Sequence, residues 1–239
     1  MNLNIPNHKI PIMISACLKP NYIERINGIK NTWMKSLDLD KYFPFFYCID
    51  ESILVDFFDE ETKILHIAGI DDYARLSVKS VKCLEHIIKN TECTHIWKVD
   101  DDSYINCKLF NKYDTFLVYD YLGVPVYMKD AKNNYEDQVD EFGVKIKDKF
   151  GIDWFMSGAG YCLSREAAKT VIQHVPTYPI GPADDVLVSK AISTILYRVY
   201  EEFWEMINPF SGCNPTKELM IGHWVQNSEE MQTMHKYYE

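Results

Sequence analysis

The sequence predicts an α/β fold with a mostly parallel central sheet flanked by helices. Short apolar segments with the residue types of buried strands alternate with segments that repeat apolar residues at helical spacing. The strand patterns cover residues 9–17, 45–50, 63–68 and the stretch from Thr94, and the helical patterns cover residues 21–35 and the stretch from Asp72. Such alternation is typical of βαβ units, whose strands run parallel.

The fourth strand pattern ends abruptly in three adjacent carboxylates, Asp100, Asp101 and Asp102. An unpaired buried charge costs several kcal/mol, so the strand must surface where the aspartates begin. Their mutual repulsion requires a cation, a basic side chain or solvent. Oxygen ligands at the carboxyl end of a strand suit Mg²⁺ or Mn²⁺, with coordination positions left for phosphate oxygens. A solvated turn is the alternative for an isolated acidic triplet.

The two helical patterns carry start signals. Asn21 and Glu24 have the spacing of a capping box, which predicts a first helix from Asn21 to about Lys35. The second helix is predicted to begin at Asp72, with apolar residues on one face and Lys79 among the charged residues of the other. It leads the chain into the strand that carries the aspartates.

The second half of the chain is less regular. A short helix is predicted over residues 109–119, a strand over 122–127 and a long polar loop over 128–151. Further elements are a glycine-containing strand over 154–163, a helix from the capping residue Ser164 to His174, a helix over 186–196 that follows Asp184 and Asp185, and a polar helix from Ser228. Two carboxylates at a helix N-terminus are stabilised by the helix dipole, so plain capping is one interpretation of Asp184 and Asp185.

Composition limits the class of protein. The chain has 239 residues, 47% of them hydrophobic, and a net charge of −10. This charge argues against nucleic acid or an anionic membrane surface as the main partner. No apolar run approaches the ~20 residues of a spanning helix. None of the seven cysteines forms a C-x-x-C pair, which makes zinc unfavoured, and a reducing compartment is the simpler interpretation, with one or two disulfides as the alternative.

Five segments, in order along the chain, resemble the motifs of the β-1,3-glycosyltransferases of the galactosyltransferase, fringe and core-1 synthase group (glycosyltransferase family 31). They are residues 29–33 (family I-R-x-T-W), 72–79 (D-x-Y-x-N-L-T-x-K), 98–102 (K-x-D-D-D), 157–164 (G-G-A-G-[FY]-x-[IL]-S) and 184–186 (E-D-V). Lys30 stands where the family has Arg, and Arg75 stands where Asn is usual.

The resemblance implies a single catalytic domain with the GT-A fold over residues 1–239, with a nucleotide-sugar-binding half of about 1–106 and an acceptor-binding half of 107–239. It implies an inverting transfer of galactose, N-acetylglucosamine or a related hexose from a UDP-sugar to a hydroxyl of a glycan or glycoprotein, with a β-1,3 linkage. The implied cofactor is Mn²⁺, or Mg²⁺.

The resemblance also implies residue roles. Asp102 would bind the metal, Asp100 would face the nucleoside, and Asp185 would be the general base. A third protein ligand for the metal is expected in the C-terminal part, commonly a histidine. His223, within Gly222-His223-Trp224, is preferred here over His174 and His235.

Further residues complete the predicted site. Asp101, Arg75, Lys79 and Ser15 are assigned to the donor, although Lys79 could equally lie on a solvated helix face. Trp154, Gly158, Ala159, Gly160 and Asp184 are assigned to the acceptor or sugar. Core packing is the alternative for Trp154.

Family members usually carry an N-terminal anchor, whereas this chain begins almost at the first strand. We therefore expect a soluble cytoplasmic enzyme of microbial or viral origin, or a secretory-pathway catalytic core without its anchor. The altered motif residues Lys30 and Arg75 motivate a second hypothesis, a catalytically silent module that binds nucleotide sugars or glycans. A metal-dependent phosphohydrolase that uses the aspartates is a third.

Overall fold

A computed structural model describes residues 5–71, 75–127, 154–177, 184–193, 207–208 and 215–239. The strands are β1 Ile10–Ser15, β2 Tyr42–Asp50, β3 Phe57–Asp59, β4 Ile64–Ala68, β5 His95–Asp100, β6 Tyr104–Ile105, β7 Tyr121–Tyr127, β8 Trp154–Ser164, β9 Ile207–Asn208 and β10 Ile221–Gly222. The helices are α1 Pro20–Asn31, α2 Trp33–Ser36, α3 Leu76–Asn90, α4 Cys107–Phe110, α5 Arg165–His174, α6 Asp184–Ile192 and α7 Ser228–Tyr238.

The central sheet has seven strands in the order β3-β4-β2-β1-β5-β8-β7. Strands β4, β2, β1 and β5 pair in parallel, whereas β3 and β8 run antiparallel to their neighbours. Strand β7 pairs antiparallel with β8 and so points the same way as β5. The mostly parallel sheet is therefore confirmed. The later part of the chain adds β7 and β8 to the same sheet, and the division into two halves near residue 106 stays a prediction.

Each face of the sheet is covered by a separate apolar cluster, because successive strand residues point to opposite faces. Met13 and Phe45 pack with α3, α5 and α6 on one face. Ile12 and Ile14 pack with α1 and α7 on the other. The parallel strands are buried on both faces, which explains why they read as continuous apolar runs.

The predicted capping box at Asn21 is wrong. Helix α1 begins at Pro20, and Lys19 is the extended residue before it, with no side-chain cap. Proline has the backbone angle of a first helical position and has no N–H to satisfy there, so the helix starts one residue earlier. The helical region also breaks at Thr32, whose backbone is not helical, into α1 and α2.

The single helix predicted over residues 109–119 is also wrong. Helix α4 ends at Phe110, and a 3₁₀ turn follows at Thr115–Val118. Between them the Lys41 ammonium donates to the carbonyl oxygens of Asn111 and Tyr113, at 3.3 and 3.4 Å. These contacts take up carbonyl groups that a continuous helix would have used.

Other elements match the prediction closely. The Ser164 side chain accepts a hydrogen bond from the Ala167 N–H and caps α5, which ends at His174 as expected. Helix α7 begins at Ser228 as expected, and helix α6 includes the two aspartates that were placed before it. The start of the second helix at Asp72 and the polar loop of 128–151 lie outside the described residues.

The predictions about cysteines and about membrane-spanning segments can be compared with the described part of the chain. Six of the seven cysteines lie in its described part, and all six are buried there as free thiols; Cys213 lies outside it. None of the helices described is long and apolar enough to cross a membrane.

Candidate functional site

A cavity of ≈ 340 Å³ opens at the carboxyl edge of the parallel strands, where β1 and β5 end side by side. It contains seven of the predicted site residues. These are Ser15, Lys79, Asp100, Asp101, Asp102, Asp184 and Asp185. The acidic triplet and the later aspartate pair, more than 80 positions apart in the sequence, therefore face the same space.

Each aspartate of the triplet lies close to a different basic side chain. The Lys98 ammonium lies 2.6 Å from Asp100 Oδ1, and Arg25 Nη1 lies 3.1 Å from Asp101 Oδ1. His223 Nε2 lies 2.9 Å from Asp102 Oδ1. The expected need for a basic partner is thus met three times, by residues from β5, α1 and the loop after β10.

Lys98 is the most deeply buried of these three side chains, with 2% of its side chain exposed. Its ammonium also lies 3.5 Å from Asp184 Oδ2, so one charge serves both acidic groups. Burial alone would lower the pKa of Lys98, but the carboxylates of Asp100 and Asp184 outweigh burial and hold this pKa well above the ordinary range. Lys98 is therefore a permanent cation between the triplet and the pair.

Asp100, Asp102 and His223 form a candidate metal site. Each offers one ligand atom, and these three atoms lie within 4.8 Å of one another. His223 Nε2 is 2.9 Å from Asp102 Oδ1 and 3.7 Å from Asp100 Oδ2. Neighbouring ligands of an octahedral ion with bonds of about 2.1 Å are about 3 Å apart, and the separation of His223 Nε2 from Asp102 Oδ1 matches this value. Two carboxylates and one imidazole are a suitable ligand set for Mn²⁺ or Mg²⁺, with Asp100 Oδ2 needing a small shift. His235, a competing candidate, instead contacts Tyr104 and Glu239.

The pKa values of the three carboxyl groups of the triplet are shifted in different directions. Burial would raise the pKa of Asp102, but its hydrogen bond to His223 and the nearby charges of His223 and Arg25 outweigh burial and lower it. Burial raises the pKa of Asp100 despite the opposing charge of Lys98. Burial, followed by the charge of Asp102, raises the pKa of Asp101 to about 7.

Backbone contacts hold the acidic loop against the end of β1. The Asp101 N–H donates to the carbonyl oxygen of Ser15 at 3.1 Å. The Asp102 carbonyl accepts from the Val225 N–H at 2.9 Å, which joins this loop to the segment that carries His223. Ser15 thus lines the cavity partly through a backbone contact that orders the triplet.

The aspartate pair lies at the first turn of α6, where free N–H groups stabilise anions. Asp184 is buried, and its Oδ2 accepts from the Ser80 hydroxyl at 2.6 Å and contacts Lys98. Asp185 accepts from the Val186 N–H at 2.8 Å through Oδ1 and from the Gly158 N–H at 3.2 Å through Oδ2. Burial and the charge of Asp184 raise the pKa of Asp185 to about 7.

Glycine residues of strand β8 leave space for side chains of the site. A side chain at Gly158 would collide with Asp100 Oδ2, so only glycine lets this carboxylate occupy its place. At Gly160 an added Cβ would lie 2.9 Å from Ile221 Cδ1, so only the flexible end of the Ile221 side chain would have to shift. Ala159 is buried and accepts from the Ser103 hydroxyl through its carbonyl oxygen. Trp154 packs against the core cluster of α3, α5 and α6, which favours the packing interpretation.

Two residues that were assigned to the donor, Lys79 and Arg75, differ in their position relative to the cavity. The solvated alternative for Lys79 is wrong, because the side chain is buried and its ammonium donates to the Ala16 carbonyl at 2.9 Å. Arg75 precedes α3 and is not among the residues that line the cavity.

Sequence reasoning missed six residues that line the cavity: Ala16, Cys17, Lys19, Tyr22, Asp71 and Leu76. The Cys17 thiol donates to Asp71 Oδ2 at 3.0 Å, and the Lys19 ammonium lies 3.4 Å from the same oxygen. Cys17 and Lys19 follow the carboxyl end of β1, so the position rule that was applied to the aspartates could have identified them. Asp71 gave no such signal in the sequence.

The fold is shared with solved glycosyltransferases of the GT-A type. The apo structure of the bifunctional glycosyltransferase WbbM matches with a TM-score of 0.62 and 9% identity, over 98% of this chain and 51% of that chain. The chain therefore spans about half the length of WbbM. These matches confirm the GT-A fold and, at such identities, show the fold alone.

Two further structures match along nearly their whole length. One is a glycosyltransferase involved in the glycosylation of the major capsid of PBCV-1, with a TM-score of 0.50 and 12% identity over 95% of this chain and 99% of that one. The other is the galactosyltransferase LgtC in complex with donor and acceptor sugar analogues, with a TM-score of 0.50 and 12% identity over 95% and 96%.

Membership of a family is decided by sequence rather than by fold. No curated protein sequence matches the chain. The family model Galactosyltransferase, however, matches residues 24–200, a span that contains all five motifs and both acidic groups. The chain belongs to the Galactosyltransferase family of glycosyltransferases.

Proposed function

We propose that the protein is an inverting, metal-dependent glycosyltransferase that moves galactose, N-acetylglucosamine or a related hexose from a UDP-sugar to a hydroxyl of a glycan or glycoprotein. One observation carries this proposal. The ligand atoms of Asp100, Asp102 and His223 lie within 4.8 Å of one another beside a cavity that Asp185 also lines. A metal site and a candidate base thus flank a single space.

Asp100, Asp102 and His223 would hold Mn²⁺ or Mg²⁺. Such an ion, when bound, supplies Lewis-acid neutralisation of the charge that develops on a departing diphosphate. The protein's own contribution is to fix the ligands. Lys98 holds Asp100 through Oδ1, which leaves Oδ2 on the side of His223.

Asp185 is proposed as the general base that takes the proton of the acceptor hydroxyl. The N–H groups of Val186 and Gly158 fix its orientation, and each carboxylate oxygen keeps a second lone pair for the hydroxyl. The pKa of about 7 keeps this carboxylate substantially ionised near neutral pH and still basic enough to accept a proton.

Asp184 is proposed to support the base rather than to bind the acceptor. Its carboxylate is buried and engaged by Ser80 and Lys98, so it anchors the first turn of α6. The inverting outcome and the β-1,3 linkage are proposed from the five motifs. Inversion requires one base and one in-line displacement, and a single carboxylate, Asp185, is assigned to that task.

The test is a donor screen with purified protein. A panel of UDP- and GDP-sugars is incubated with Mn²⁺ or with EDTA, and released nucleotide diphosphate is followed with and without glycan acceptors. We expect Mn²⁺-dependent release from one UDP-sugar, and strong reduction of release by Asp185→Asn. The matched control is Asp40→Asn, an exposed aspartate before β2 at the opposite edge of the sheet.

The other outcomes separate the alternatives. Mn²⁺-dependent UDP binding without turnover of any donor would favour the silent binding module. Cleavage of a generic phosphoester would favour the phosphohydrolase. Failure to bind any nucleotide would contradict the proposal altogether.

A further inference from the structure

Arg25, on helix α1, joins the two chain segments that carry metal-ligand candidates. Its Nη1 lies 3.1 Å from Asp101 Oδ1 and 4.0 Å from Asp102 Oδ2. On its other side, Nε donates to the Gln226 carbonyl oxygen at 3.1 Å and Nη2 donates to Gln226 Oε1 at 2.8 Å. One guanidinium therefore binds the acidic loop and the segment three residues after His223.

The segment after β10 also contacts the acidic loop directly. The Val225 N–H donates to the Asp102 carbonyl at 2.9 Å, and His223 itself reaches Asp102. Trp224, next to His223, has a φ of 65°, a conformation that a non-glycine residue adopts only when its surroundings hold it. The position of the His223 imidazole thus depends on how firmly this segment is attached to the loop.

We propose that Arg25 is a positioning residue of the metal site, which holds the acidic loop and the His223 segment together so that Asp102 and His223 face the same ion. This inference rests on the metal site of the proposed function. Arg25 does not itself ligate the ion. Residues that orient metal ligands typically change metal affinity by 10–100-fold when they are lost.

Arginine suits this role because its planar group donates in several fixed directions at once. Here it uses Nη1 on one segment and Nε with Nη2 on the other. Lysine would keep the charge and lose the fork, so an Arg25→Lys variant separates the two properties. The Tyr22 ring, 5.2 Å from the guanidinium, packs against it from the cavity side.

The sign of the effect distinguishes positioning from simple charge balance. A positive group beside a cation site repels the cation. If Arg25 acted only as a counter-charge, its removal would leave the carboxylates more negative and strengthen Mn²⁺ binding. Positioning predicts the opposite, weaker binding in both Arg25→Lys and Arg25→Gln.

The experiment is a Mn²⁺ titration of the purified protein, in which the electron paramagnetic resonance signal of free Mn²⁺ gives the dissociation constant. We expect Arg25→Lys and Arg25→Gln each to raise it about 10–100-fold. Gln226→Leu removes one of the four contacts, and we expect a smaller rise that does not add to the effect of Arg25→Lys.

Arg165→Lys is the matched control. Arg165 has the same 18% side-chain exposure as Arg25 and also joins separate groups: it donates to the carbonyl oxygens of Thr91 and Ile88 and lies 3.5 Å from Glu92 Oε2. Thermal melts should show comparable loss of stability in the two lysine variants, whereas only Arg25→Lys should alter Mn²⁺ binding.

Two results would overturn the inference. Unchanged or tighter Mn²⁺ binding by the Arg25 variants would mean that Arg25 acts only as a counter-charge. An equal loss of Mn²⁺ affinity in Arg165→Lys would mean that the effect comes from reduced stability of the whole protein. Wild-type protein that binds no Mn²⁺ would contradict the proposed function and this inference together. If Arg25→Gln does not fold, Arg25→Lys and Gln226→Leu decide the question.

Discussion

The acidic triplet and the aspartate pair solve the same electrostatic problem in different ways. In the triplet, each carboxylate contacts a basic side chain: Lys98 on the same strand, and Arg25 and His223 from distant parts of the chain. In the pair, Asp185 relies on backbone N–H groups, while Asp184 shares Lys98 with the triplet and takes a hydroxyl hydrogen bond. We infer that carboxylates which contact basic side chains can instead bind a metal ion. A carboxylate that is held by backbone N–H groups stays in position and can accept or release a proton.

This difference predicts that substitutions in the triplet act first on metal binding. Asp102→Ala removes the carboxylate that contacts His223, and we expect kcat/KM to fall about 10⁴-fold because Lewis-acid stabilisation is worth several kcal/mol. Calorimetric titration should show that Mn²⁺-dependent UDP binding is lost. An Asp102→Ala protein that still binds UDP only when Mn²⁺ is present would contradict the metal assignment.

Substitutions in the pair should act on transfer instead. Asp185→Asn keeps the shape of the side chain and removes the base, so we expect kcat to fall about 10²–10⁴-fold while Mn²⁺ and UDP affinities change little. Single-turnover transfer and UDP binding measured on the same preparation check this. An Asp185→Asn enzyme with normal turnover would remove Asp185 from the role of base.

Asp184→Asn provides the contrast within the pair. Since Asp184 is buried against Ser80 and Lys98, we expect this change to lower the free energy of unfolding by about 1–3 kcal/mol. Urea unfolding monitored by circular dichroism measures it. A variant with wild-type stability and a specific loss of acceptor binding would instead support the sequence-based assignment of Asp184 to the acceptor site.

Two glycines of β8 provide a test of whether the position of Asp100 matters for metal binding. Gly158→Ala would force Asp100 Oδ2 to move, and we expect Mn²⁺ affinity to fall about 10–100-fold. Gly160→Ala is the control, because its added methyl group meets the flexible end of the Ile221 side chain. Equal Mn²⁺ affinities in the two variants would show that Asp100 does not need the space above Gly158.

The two acidic groups also differ in how they affect stability as a function of pH. Folding raises the pKa of Asp185 from 3.8 to about 7, so the protonated carboxyl favours the folded state. The stability that this group contributes is complete below about pH 4 and is lost as the pH rises through 7. Asp185→Asn should therefore stabilise the metal-free protein at pH 8 by roughly 1–4 kcal/mol and leave it unchanged at pH 4. Thermal melts at the two pH values measure this, and a variant with the same gain at both would contradict the raised pKa.

The fold was largely predictable because its signals are local. Buried parallel strands read as apolar runs, and Ser164 could be recognised as a cap from its position before a helical pattern. The errors were also local. The Lys41 ammonium binds the carbonyl oxygens that follow α4, and α1 begins at Pro20 rather than after a capping residue at Asn21.

The candidate site was predictable only in part. The carboxyl-edge rule for parallel sheets located the triplet, and the order of the motifs located Asp185. Arg25 could not be predicted, since it is 76 positions away from the aspartate that it contacts, whereas His223, 121 positions from Asp102, was assigned only through the resemblance to the family. Lys79 shows the same limit, because its position on a charged helix face gave no sign that its ammonium would reach the Ala16 carbonyl.

The most direct test of the account is a crystal structure of the protein grown with Mn²⁺ and UDP, with anomalous diffraction measured at the manganese absorption edge. The account predicts one anomalous peak, bonded to oxygens of Asp100 and Asp102, to His223 Nε2 and to the diphosphate. A peak that His223 does not approach, or nucleotide bound without an ion beside the triplet, would contradict it.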